Sequence, residues 1–311
     1  MSKQPLTSDL TDIVLAKHLE SLGRTLKTRK AATAPETPEI APKQPTDKII
    51  QLPLWPEPTR GVPNDVLRSA LFAAIQGKGR ALLNQRLIAA YDGNQIRYTG
   101  GQLDQSDLDV WEQVLHLARQ HPLGTVCQFK GGAFLKAIGR STGKANYQWL
   151  HGALLRLSSC TVEFCRGRQI YGRGIIAAFN IDEETRRYKV VIDPDTAKLY
   201  AAGWTTVDWQ QRQELRRQPL ALWLHGYYAS HAKPLPVKVD TLRKLSGSKA
   251  KSLRHFREQL RAALDRLKAI GTIASWQIDA DDLVTVDRGN AITDSQRRHL
   301  THARPRRKRQ N

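Results

Sequence analysis

The chain has 311 residues, 49 of them Lys or Arg against 29 Asp or Glu, giving a formal charge of +20 and 40% hydrophobic content. At about 100–200 residues per domain this length suggests two domains, and the apolar share excludes wholesale disorder. No apolar run approaches the ~18 residues of a membrane span, the opening residues lack a secretion signal, and three cysteines cannot form a disulfide scaffold. The expected setting is a reducing cytoplasm, and the expected partner of so basic a protein is a polyanion.

The charge is uneven. Residues 1–63 carry a net +2, residues 295–311 carry seven basic side chains and no acidic one, and the remainder holds +11. In chain order, residues 7–30 suit a short amphipathic helix with Leu10, Ile13, Val14 and Leu22 near one face. Eight of the fifteen prolines fall between Pro35 and Pro63, so a linker is expected up to Pro63. Asn64 or Asp65 can cap a helix through Leu67, Ala70, Leu71 and Ala74. A hairpin follows, Leu87–Tyr91 and Ile96–Tyr98 around Asp92-Gly93-Asn94. The periodicity then predicts a helix from Ser106 to His121, a strand Thr125–Phe129, and helices Ala133–Ile138 and Asn146–Leu157. Strands Thr161–Cys165, Gln169–Asn180 and Arg187–Ile192 complete this half.

The second half repeats the order. A helical stretch Gln210–His231 is broken by Pro219. A strand Leu235–Val239, a helix Asp240–Leu245, a Ser246-Gly247-Ser248 turn and a long helix Ser252–Ile270 follow, then strands Thr272–Ile278 and Leu283–Val286. Helix, strand, helix, turn, helix and hairpin, twice, is the order of a winged helix. The expected architecture is therefore α+β: an N-terminal region at 1–63, winged-helix domains at 64–203 and 204–288, and a basic disordered tail at 289–311.

On the long second-half helix, Leu253, Phe256, Leu260, Leu264 and Leu267 form one stripe, and Arg254, Arg257, Arg261 and Lys268 another. A recognition helix needs this division. Base contacts are expected from Lys251, Arg254, His255 and Glu258, because Arg reads guanine O6 and N7 and Glu accepts from cytosine N4. Phosphate contacts are expected from Lys249, Ser252, Arg257 and Arg261. In the first half, Arg140, Ser141, Lys144, Asn146 and Gln148 are the weaker equivalents, with a structural role at least as well supported there.

Catalysis finds no support. Gly139–Ala145 has three residues between its glycines and Ala after Lys144, where a phosphate-binding loop needs four and Ser or Thr. Cys160 and Cys165 have no partners at zinc spacing, so neither metal nor cofactor is expected. No nucleophile constellation or histidine metal motif of a nicking enzyme occurs.

Before the first domain lies Gln51-Leu52-Pro53-Leu54-Trp55. Its Gln51, Leu52, Leu54 and Trp55 resemble the short extended peptide that docks on the DNA polymerase III sliding clamp; the competing reading packs Leu54 and Trp55 on the first domain. Three further stretches carry a wider likeness. They are Trp55-Pro56-Glu57 with Pro63-Asn64-Asp65 and Arg68–Phe72, then Val190–Asp193, and finally Tyr227–His231 through Pro234–Lys238 and Thr241–Arg243 to the Leu253–Ile270 helix. Over about residues 50–288 the chain resembles the TrfA family of plasmid replication initiators. The resemblance implies tandem winged helices that bind direct repeats (iterons) in double-stranded origin DNA. It also implies opening of an AT-rich segment, recruitment of the host replication initiator and replicative helicase, and a monomer–dimer equilibrium. The family's clamp-contacting segment lies just before Trp-Pro, in agreement with the motif here; Trp55 stands where the closest pattern has Phe. A winged-helix transcriptional repressor is the alternative, and an enzyme such as a nickase is the weakest.

Overall fold

The computed structural model describes residues 50–91, 95–166, 169–201, 203–293 and 296–297. The expected helix over 7–30, the turn Asp92-Gly93-Asn94 and the basic tail from residue 298 onward lie outside the described residues. Helices and strands intermix in an α+β arrangement around two hydrophobic cores. Among the described residues no helix is long and apolar enough to cross a membrane.

The first core is built around α2 (Gln105–Ala118), which is buried on nearly every side. Its N-terminus is fixed by a reciprocal capping box: the Asp104 carboxylate accepts from the Ser106 and Asp107 amides, and Asp107 accepts from the Asp104 amide. Arg80 bridges both carboxylates at 2.6 Å and Arg156 binds Asp107 at 2.7 Å, so the buried Asp107 does not lack counter-charge. Around α2 lie β1 (Thr59–Pro63), paired antiparallel with β11 (Trp204–Asp208), and β2 (Phe72–Ala73), parallel to β5 (Leu103–Asp104). A four-stranded sheet follows in the order β3 (Leu82–Ile88), β4 (Gln95–Gly101), β7 (Thr161–Arg166), β8 (Gln169–Arg173).

Several expectations are corrected here. The helix starting at Asn64 is α1 (Asn64–Leu67), a single turn. The Ser69 hydroxyl then donates to the Val66 carbonyl, and Phe72 and Ala73, both fully buried, pair with Leu103 and Asp104. The linker does not run to Pro63: Leu52, Trp55 and Val62 are core residues, and β1 is a paired strand. The first core also reaches past residue 203, because Val207 and Trp209 belong to it. Gln169–Asn180 is two strands, β8 and β9 (Ala178–Asp182), broken at Gly174, where a Cβ would press on the Ser158 and Ile176 carbonyls at 2.8 and 3.0 Å. Finally, the chain stays anchored beyond residue 289, since the Gln296 amide donates to the Ala229 carbonyl at 2.7 Å.

The two halves share one local topology. In the first, β6 (Val126–Lys130), α3 (Gly131–Ala137), α4 (Lys144–Ser159), β9 and β10 (Arg187–Val191) form a sheet ordered β6-β10-β9. In the second, β12 (Val237–Lys238), α8 (Val239–Leu245), α9 (Leu253–Ala269), β13 (Ser275–Ile278) and β14 (Leu283–Asp287) form a sheet ordered β12-β14-β13. The likeness extends to single bonds. The first helix ends in a left-handed glycine, Gly139 (φ 71°) and Gly247 (φ 62°), whose amides bond to Lys136 and Lys244. The hairpin turn ends in a residue with positive φ, Arg186 or Asp282, whose carbonyl accepts from the first residue of the first helix, Gly131 or Val239, at 2.9 Å in both. Gly139 thus ends a helix, and the phosphate-loop-like run around it is a helix–helix connection.

Helix α6 (Trp209–Glu214) leads out of the first core, to which Trp209 belongs, and α7 (Pro219–Ala229) completes the second, with the expected break at Pro219, the residue that opens α7. The cores are joined at buried polar contacts. Trp223 Nε1 donates to the Ser69 carbonyl at 2.9 Å and the Ala74 amide to the Ser246 carbonyl at 2.7 Å. A Cβ on Gly247 would sit 2.9 Å from that of Ala73. Deepest is Arg212, 1% exposed, whose Nε meets Asp109 Oδ1 at 2.6 Å and Glu112 Oε2 at 3.1 Å. Its other nitrogens reach Gln105 on α2 and the Leu222 carbonyl on α7. Burial raises the pKa of both acids, Glu112 to about 7, while burial opposes the Arg212 charge and Glu112 and Asp109 restore it.

Removing one partner of such a cluster leaves buried charge unpaired, so Arg212→Met is expected to cost about 3–5 kcal/mol in urea unfolding at pH 8. The loss should be smaller at pH 5, where the orphaned carboxylates can take up protons. In the parent protein Glu112 binds its proton more tightly folded than unfolded. Its contribution therefore falls as pH rises from about 4.5 to about 7, and Glu112→Gln should flatten the stability profile across that window.

Candidate nucleic-acid interface

Helix α9 is divided as its sequence requires. Phe256, Leu260, Ala263, Leu264 and Leu267 are buried in the second core. Ser252 caps the helix by accepting from the His255 amide at 3.2 Å, and the first turn carries no acid. The positive end of the helix dipole is thus unopposed there, with Lys251 exposed beside it. On the outer face Arg254, Arg257, Glu258 and Arg261 border a cleft closed on its far side by Ala280 and Asp282 of the β13–β14 turn.

The predicted residues divide in what they do. Arg254 is 87% and Glu258 58% exposed, and their 3.5 Å ion pair at that exposure contributes little, so both stay available. His255, Arg261 and Lys251 are likewise exposed. Three of the assigned phosphate contacts have partners within the chain. Ser252 is a helix cap. The Lys249 ammonium donates to the Gly79 carbonyl in the first half. Arg257 makes a two-pronged ion pair with Asp282, at 2.8 and 2.6 Å. That pairing raises the Arg257 pKa and lowers that of Asp282.

In the first half, Arg140, Ser141 and Asn146 stabilise the turn rather than face outward as a group. The Arg140 guanidinium lies 3.4 Å from the Trp149 ring centroid and donates to Asn146 Oδ1, while Asn146 Nδ2 donates to Ser141 Oγ at 2.8 Å. Lys144 and Gln148 are exposed on α4, alongside Tyr147 and His151, which sequence reasoning missed. Matching the buried Leu150, Ala153, Leu154 and Leu157 of α4 to Leu260, Ala263, Leu264 and Leu267 of α9 aligns Lys144, Tyr147, Gln148 and His151 with Arg254, Arg257, Glu258 and Arg261. The turn residue aligns too: Arg186 stacks on Tyr147, 4.2 Å from its ring centroid, where Asp282 grips Arg257. The shared spacing of these four helix positions was the available signal.

With this geometry in place, comparison with known proteins identifies the lineage. The family model for the TrfA protein matches residues 33–288. The chain belongs to the TrfA family. This TrfA-family chain is 29% identical over 245 residues to the plasmid replication initiator protein TrfA of Escherichia coli, a match covering 76% of this chain and 63% of that protein. The chain therefore aligns with less than two thirds of that relative's length. Among solved structures, domains 2 and 3 of RctB align with a TM-score of 0.48 at 13% identity, covering 66% of this chain and 85% of that one. A Pi initiator protein solved with iteron DNA aligns at 0.45 and 13%, covering 59% and 94%.

The clamp-like motif does not stand free. Leu52 is 2% and Trp55 4% exposed, whereas Leu54 is 70% exposed. Trp55 stacks on Tyr200 and its Nε1 donates to His116 Nδ1 at 3.0 Å. An indole N–H only donates, so Nδ1 accepts and Nε2 carries the proton that goes to Glu57 at 2.9 Å. Burial lowers the His116 pKa, and hydrogen bonds from His116 and Arg119 hold Glu57 down at about 2. Gln51 donates to the Arg119 carbonyl at 3.0 Å. The clamp-docking expectation is corrected accordingly: two of its apolar anchors are core residues of the first half. Trp55→Ala should cost about 3–5 kcal/mol, while Leu54→Ala should stay within about 0.5 kcal/mol, both read from chemical denaturation. Equal effects would return Trp55 to a surface role.

Proposed function

We propose that this protein is a plasmid replication initiator whose two halves are winged-helix domains binding direct repeats in double-stranded origin DNA. Membership of the TrfA family supports the biological role. The carrying observation for DNA contact is α9: a capped, acid-free N-terminus presenting Arg254, His255, Glu258 and Arg261 beside a hairpin. Arg254 is the guanine reader, Glu258 the cytosine acceptor and Arg261 a phosphate contact. Lys144 and Gln148 of α4 supply a second, less charged contact in the adjoining domain, Gln being suited to adenine.

The protein acts without catalysis of its own, so strand opening draws on binding energy, DNA bending and supercoiling. The host initiator and helicase join the opened origin in the cytoplasm, and self-association limits the free monomer.

Footprinting on the DNA flanking the gene is expected to show protected repeats at moderate salt; uniform cutting would sink the reading. Arg254→Ala should weaken repeat binding by about 1–3 kcal/mol and relax one base position in competition assays. Gln148→Ala should act at a different base pair of the same repeat. A fragment carrying only this gene and its flanking repeats should also replicate in a suitable host, which a repressor of transcription would not accomplish.

A further inference from the structure

The hairpin beside the reading helix carries charge of the wrong sign for a DNA clamp. Its turn is Asp279-Ala280-Asp281-Asp282, with Asp279 and Asp281 exposed. The turn is rigidly built: Asp279 Oδ1 accepts from the Asp281 and Leu283 amides at 2.9 and 2.8 Å. Lys238 donates to the Asp281 carbonyl at 2.6 Å, and the Val239 amide bonds to the Asp282 carbonyl at 2.9 Å. Asp282 is thus fixed across a shared cleft from Arg254, Arg257 and Arg261. Facing this group from α9 are those three arginines and Glu258; from β12, Lys238. The first hairpin repeats the theme, with Asp182, Glu183 and Glu184 exposed at its turn and the first two bordering the cleft beside Lys144 and His151.

Resting on the DNA-binding reading above, we infer that the acidic turn at Asp279–Asp282 sets selectivity. Asp282 withholds Arg257 from phosphate, and Asp279 and Asp281 repel the backbone. Duplex of arbitrary sequence meets this opposition with little in return. A repeat offers base contacts to Arg254, His255 and Glu258 that offset it. Discrimination arises here from a penalty on the wrong partner as much as from attraction to the right one. Arg257 is accordingly a positioning residue, fixing the hairpin against the helix, and Asp282 is the residue that determines specificity.

The test compares two fluorescent duplexes, one carrying the repeats that flank the gene and one with the same bases scrambled, titrated with full-length protein across a salt series. Asp282→Asn is expected to tighten binding to the scrambled duplex about three- to tenfold and to tighten repeat binding by less, so that the ratio of the two affinities narrows. It should also steepen the slope of log K against log salt by about one, the signature of one added phosphate contact. Adding Arg257→Ala to Asp282→Asn should restore the parent slope, because the freed cation is then gone. Asp281→Asn, at an exposed position, provides a second variant should Asp282→Asn unfold, and should tighten scrambled binding by about twofold with little change in slope. Unchanged scrambled binding in both variants, or an equal gain or loss on both duplexes, overturns the inference while leaving the initiator reading standing. Failure of the parent protein to bind either duplex removes both.

Discussion

The arrangement of the whole described region depends on one buried cation. Arg212 leaves α6 and enters the space between two cores, where it meets Asp109 and Glu112 of α2 and the Leu222 carbonyl of α7. A buried ion cluster of this kind is a poor source of net stability, because desolvation cancels much of the attraction. What it supplies is geometry: an unpaired Arg212 or Asp109 at this depth is so unfavourable that the two cores tolerate few other orientations. The smaller contacts around it, Trp223 on Ser69 and Gly247 against Ala73, need the same alignment. Through this joint α4 and α9 are held at one separation.

How much of this the sequence reveals follows from the range of each interaction. The amphipathic division of α9, the break at Pro219 and the doubled order of elements rest on neighbours within a few turns, and all are readable. The β1–β11 pairing joins Thr59 to Asp208, and nothing in either stretch alone announces the other. Trp55 is the instructive failure. An aromatic residue between prolines, in an extended segment, has the features of a docking peptide, and those same features suit a segment that docks on its own domain. Only the partners distinguish the cases, and His116, Tyr200 and Trp204 lie far along the chain. The one-turn α1 fails for a related reason: its helical pattern is satisfied by a core that surrounds Leu71, Phe72 and Ala73 without any helix.

The candidate site was readable in composition but not in pairing. Arg254, Glu258 and Arg261 stand where helical spacing places them. Arg257 sits on the same stripe and looks identical in sequence, yet a residue 25 positions away removes it from the set. The aligned pair in the first half, Tyr147 and Arg186, shows that this contact is a fixed joint of the architecture filled by different chemistry in each copy. A joint that tolerates both a stacked arginine and an ion pair constrains shape and leaves charge free to vary.

This freedom bears on what a formal charge of +20 means for such a protein. Seven of the basic residues lie in the last seventeen positions, far along the chain from the reading helices. Phosphate attraction from such a segment is blind to sequence and falls steeply with salt. Had the helix face been as basic as its arginines suggest, it would have added to the same indiscriminate term. The acidic turn offsets that face locally while the tail keeps the global excess. Under the proposed DNA-binding reading, capture of DNA falls to the sequence-blind basic excess and choice among sequences to the charge beside α9.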